Sequence, residues 1–146
     1  MEILEHIYQD SDMSVSTLDR LLEDLEDKKS SSKDTVKHLK DGYERYQKKA
    51  ENLLKERGEE LKEGSIMGKM MSKKGVDQKI KKDATNEAIV DMLIKGITMG
   101  VKDIDHALKK DKDMEKEDIK LAIDFLQFQK DNIESLEKLK DDLKAG

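Results

Sequence analysis

Asp103 and His106 stand three residues apart in the stretch AIVDMLIKGITMGVKDIDHAL, residues 88–108, a spacing that puts a carboxylate and an imidazole on one face of a helix. Di-metal carboxylate bundles use such a pair twice, as Glu-x-x-His on two helices, with an inward glutamate from each of two others. Here the pattern occurs once, with aspartate in place of glutamate. A third ligand would have to come from Asp10, Asp12, Glu44 or Asp131, so the arrangement predicts a degenerate site around Asp103 and His106 for iron, manganese or a small molecule. The competing expectation is a polar contact at the wet end of the helix. His6 and His38 lie near predicted helix starts, and Tyr8, Tyr43 and Tyr46 fall on core seams with their hydroxyls directed to the rim. The chain has no cysteine, which excludes thiolate chemistry and disulfides. It also carries no phosphate-binding glycine loop, nucleophile elbow or catalytic triad.

The helix that must position Asp103 and His106 is the most apolar in the chain. Val90, Leu93, Ile94, Ile97, Val101, Ile104 and Leu108 recur at helical spacing, and small or apolar residues extend the face to roughly 200° of the circumference. Gly96 and Gly100 interrupt it, each at a cost of about 1 kcal/mol relative to alanine in a helix interior. Something must offset that loss, and the spacing predicts close approach of a neighbouring helix over a small-xxx-small groove. An arc this wide exceeds what two flanking helices cover, which predicts a homodimer.

Stepping outward, the 146 residues suffice for one domain with a real core. With 43% charged residues, no proline and no tryptophan, long charged-surface helices are favoured over sheets. Long helices are predicted over about 2–28, 33–57, 84–110 and 114–143, the first interrupted by a polar girdle from Asp10 to Ser14. A short helix is expected at 65–74, in the connection between the second and third. Short connections at two of the three joints predict an all-α, up-down-up-down four-helix bundle.

The net charge of −5 argues against a general nucleic-acid binder, but six lysines and one aspartate lie between Lys69 and Lys82. Met67, Lys69, Met70, Met71, Lys73 and Lys74 could therefore form a docking surface for an anionic membrane or nucleic acid, the alternative being a capping segment with solvated lysines. The charged run allows no transmembrane segment and no signal sequence follows Met1, so a cytoplasmic location is expected.

The phrases HIYQDSDM, IKKDATNEAIVDMLIKGITMGVKDID and FLQFQKDNIESLEKLK are similar to a family of small helical proteins from Gram-positive anaerobic bacteria, and the chain resembles the ferritin-like four-helix class. The resemblance implies a bundle. The ferritin-like class would imply di-iron chemistry, but its paired Glu-x-x-His ligands are missing here. The sequence thus favours a non-enzymatic bundle acting through protein-protein contact by self-association, with the metal or small-molecule site second and anionic docking third.

Overall fold

In a computed structural model, which describes residues 2–26, 32–61, 85–110 and 113–145, the chain forms four helices and, among the described residues, no strand. They are α1 (Ile3–Leu25), α2 (Ser32–Glu56), α3 (Asn86–Lys110) and α4 (Lys116–Ala145). The short helix expected at 65–74 and the six residues of the predicted docking surface lie outside the described residues.

Helix α1 runs unbroken through its polar girdle. Ser11 is fully buried there, and its hydroxyl donates to the carbonyls of Ile7 at 2.6 Å and Tyr8 at 3.0 Å. This back-bonding lets a polar residue occupy a core position without ending the helix. Helix α2 buries a narrow seam of Val36, Leu39, Tyr43, Ala50 and Leu54. It stops where Gly58 takes φ +68°, with Glu59 N–H donating to Leu54 O and Gly58 N–H to Lys55 O, the paired bonds of a glycine C-cap. Thr85 caps α3, its hydroxyl oxygen accepting from the Ala88 N–H at 3.2 Å.

Residue pairs across the interfaces give the helix directions. Asp19 meets Lys40 and Asp12 meets Gln47, so α1 and α2 are antiparallel. Asp91 meets Lys140 and Gly100 meets Gln129, so α3 and α4 are antiparallel. His6 meets Asp103, while Leu21 and Met92 both line the far part of one cavity, so α1 and α3 are antiparallel too. Helices α2 and α3 are therefore parallel, and the order is up-down-down-up rather than the expected up-down-up-down. The expectation failed at the joint between Glu56 and Asn86. These residues lie at opposite ends of the bundle, separated by about 37 Å for a 25-residue helix at 1.5 Å per residue.

The α2–α4 interface carries the aromatic side chains. Tyr43, Tyr46, Phe125 and Phe128 form an aromatic cluster, with Tyr43 edge-on to both phenylalanines at centroid distances of 5.9 and 5.2 Å. Tyr46 reaches the rim and donates its hydroxyl to the Asp124 carbonyl at 3.2 Å. At one end Arg57 closes a two-pronged contact on Asp118, both bonds 2.7 Å, and also reaches Glu115 and Glu117. Those acids occupy the start of α4, where negative charge also suits the helix dipole.

A Cβ placed on Gly42 would stand 2.5 Å from the edge of the Phe128 ring, which is hemmed in by the other three rings. Gly42→Ala is thus expected to destabilise the protein by about 1 to 3 kcal/mol through overpacking, despite alanine's better helix propensity. Chemical denaturation measures this, and an unchanged or raised stability would show that the ring has room to move.

Candidate functional site: a cavity with an acidic end

Three helices contribute short or flexible side chains at the same level of the bundle. From α1 come Asp10, Met13, Ser14, Thr17, Leu18 and Leu21; from α2, Leu39 and Tyr43; from α3, Met92, Leu93, Gly96, Ile97, Met99, Gly100 and Asp103. They line a half-open cavity of about 510 Å³, within the range of small-molecule sites. Its walls are mostly apolar, and Asp10 and Asp103 lie together at one end. Short side chains at Asp10, Ser14 and Thr17 of α1 and the glycines Gly96 and Gly100 of α3 share the cavity lining with larger apolar side chains that leave the space between them unfilled.

The glycines differ from each other. At Gly100 the expected close neighbour is a side chain rather than a helix backbone: Gln129 Oε1 would lie 2.5 Å from an added Cβ. Gly96 is exposed and an added Cβ there meets nothing within 4 Å, so the expected packing groove is absent at that position, which faces solvent at the rim of the cavity. Gln129 is 1% exposed; its Oε1 accepts a 2.9 Å hydrogen bond from the Tyr43 hydroxyl, and its Nε2 has no partner among the described residues. Ser14 hydrogen-bonds the same phenol, whose pKa is raised by burial, then lowered by Ser14 and raised by the Asp10 charge.

Asp103 pairs across the bundle rather than along its own helix. His6 Nδ1–H donates to Asp103 Oδ2 at 3.1 Å, and the Asp10 carboxyl hydrogen-bonds the same group. His106 is exposed and acts on Asp103 only through its charge. Among the described residues, no cluster of three converging acidic or imidazole ligands includes Asp103 or His106. Of the other carboxylates considered, Asp12 accepts from Gln47, Glu44 pairs with Lys40 and Asp131 accepts from Gln127, which leaves Asp10 as the one beside Asp103.

Burial drives the Asp10 carboxyl upward, the hydrogen bond and charge of Asp103 add to it, and its pKa is pushed up to about 9. Its Oδ2 is buried with no hydrogen-bond partner among the described residues, as suits a neutral acid and not a carboxylate. For Asp103, burial works against ionisation. The hydrogen bonds from Asp10 and His6, with the charges of His6 and His106, outweigh it and hold this carboxyl below its ordinary value. The shifts thus run in opposite directions, Asp10 toward the neutral acid and Asp103 toward the carboxylate.

The residue that sequence reasoning passed over is His6. The available signal was its four-residue spacing from Asp10 on α1, but this becomes meaningful only once α1 and α3 are neighbours. Comparison of the chain with protein-family models, with curated proteins and with solved structures finds no match.

Because Asp10 is raised, the folded protein holds a proton that the unfolded chain releases once pH exceeds the ordinary aspartate range. Its contribution to stability is full below that range and is lost as pH rises toward about 9. The slope approaches about 1.4 kcal/mol per pH unit. Asp10→Asn keeps the shape and a donor toward Asp103 but carries no such penalty. It is expected to melt above the native protein at about pH 8, with the gap narrowing toward about pH 5. Thermal denaturation across this range measures the difference, and a gap independent of pH would show that Asp10 is ionised in the fold.

Proposed function

We propose that this protein binds a small, mainly apolar molecule in the cavity between α1, α2 and α3. The observation that carries the reading is the half-open, mainly apolar cavity of about 510 Å³. Gly96, exposed and meeting no neighbour, leaves its mouth open. The apolar walls would provide affinity, and the acidic end would orient a polar group. Met13, Met92 and Met99 line the space with adaptable thioethers suited to an irregular apolar guest.

The other expectations have less behind them. For a homodimer, the large apolar side chains exposed among the described residues are Met99 and Ile123, little for an interface that commonly buries about 800 Å² per partner. For iron or manganese at Asp103 and His106, the two side chains do not converge with a third ligand among the described residues. A ferritin-like di-metal reading would also need paired Glu-x-x-His ligands, which the described helices do not carry. None of the described helices is long and apolar enough to cross a membrane.

Titration with a neutral apolar fluorophore such as N-phenylnaphthylamine tests the reading. The native protein should show saturable enhancement that Gly96→Leu abolishes, while the variant keeps or exceeds native stability by roughly 1 kcal/mol because leucine is the better helix former. Equal binding by the two proteins, or none by the native one, would remove the cavity as a binding site.

A further inference from the structure

The lining of the cavity restricts the charge of its guest. Among the described residues it contains no lysine or arginine, and its two ionisable carboxyls, Asp10 and Asp103, meet at one end. A carboxylate or phosphate on the guest would be brought against Asp103, whose ionised form is maintained by the Asp10 and His6 hydrogen bonds. A cation placed there would meet attraction in a partly desolvated setting where it is weakly screened. The pair also has unmet hydrogen-bonding capacity, since Asp10 Oδ2 is buried without a partner. Across the cavity wall, in the notch left by Gly100, the 1% exposed Gln129 likewise keeps an unpartnered Nε2.

The groups around the pair are consistent with this polarity. His6 on α1 and His106 on α3 act on Asp103, Tyr43 on α2 lines the cavity, and α4 contributes the uncharged Gln129. Of these, His6 and His106 are the ones whose charge acts on Asp103, and neither lines the cavity.

We propose that the guest is a primary amine on an apolar body, its ammonium seated on the Asp10–Asp103 pair and its hydrocarbon against Leu18, Leu21, Leu93 and Ile97. The ammonium supplies up to three N–H donors, one for the open Asp10 oxygen and others for Asp103. Charge-assisted bonds of this kind are about twice as strong as neutral ones. This inference rests on the binding function proposed for the cavity and adds the chemical class of the ligand.

Competition of n-octylamine, n-octanol and n-octanoate against the bound fluorophore separates the two levels. Octylamine should displace the fluorophore at a concentration about tenfold or more below octanol, and octanoate should be the weakest of the three. The double variant Asp10→Asn, Asp103→Asn, which keeps the shape of the pair without its charge, should lose the amine advantage while retaining octanol. If octylamine and octanol compete equally, the amine inference is overturned and the apolar-cavity function stands. If the double variant keeps the full preference for octylamine, the ammonium sits elsewhere and the inference is again overturned. If none of the three displaces the fluorophore, the cavity function fails with it.

Discussion

Two carboxyls facing each other across α1 and α3 constrain much of this structure. Burial and the neighbouring Asp103 push the Asp10 carboxyl toward its neutral form, while the hydrogen bonds from Asp10 and His6 favour the ionised form of Asp103. Beside the pair, short side chains and glycines share the cavity lining, with Asp10, Ser14 and Thr17 on α1 and Gly96 and Gly100 on α3, and methionines, aliphatic side chains and Tyr43 make up the other walls. Polar pair and cavity thus occupy the same level of the bundle.

The remainder of the bundle compensates for that loosely filled level. On the α2–α4 side, four aromatic rings, the Gly42 notch and the Arg57 contacts with Asp118 fix two helices against each other. Tyr43 belongs to both halves: it packs on Phe125 and Phe128, lines the cavity and donates to Gln129. A polar end held by residues locked elsewhere in the core is the usual condition for a preorganised site.

Much of the helical architecture is legible in the residues themselves. The seams of Val36, Leu39 and Tyr43, and of Ile97, Ile104 and Ala107, mark buried faces without reference to any partner, because helical periodicity is a local property. Helix direction is not local, and the long joint after Glu56 is compatible with a turn back or with a crossing; only pairs such as His6 with Asp103 distinguish them. The same limit governs the site. Asp103 was identifiable as an inward acid on an apolar helix, but its nearest histidine in sequence, His106, is exposed, while its bonded partner is 97 residues away. The glycines carried an ambiguous signal, since a missing side chain can admit a neighbour, as Gly100 admits Gln129, or leave a space, as Gly96 does.

A neutral Asp10 beside an ionised Asp103 is the feature on which the site depends. Carboxyl-carbon chemical shifts of Asp10 and Asp103, followed by nuclear magnetic resonance across the pH range and assigned through the single asparagine variants, measure it directly. Asp10 is expected to remain protonated through neutral pH and to titrate at about 9, with Asp103 responding in the same step and otherwise ionised. Independent titration of both groups in the ordinary acidic range of aspartate would contradict it, because the two carboxyls would then not be coupled across α1 and α3.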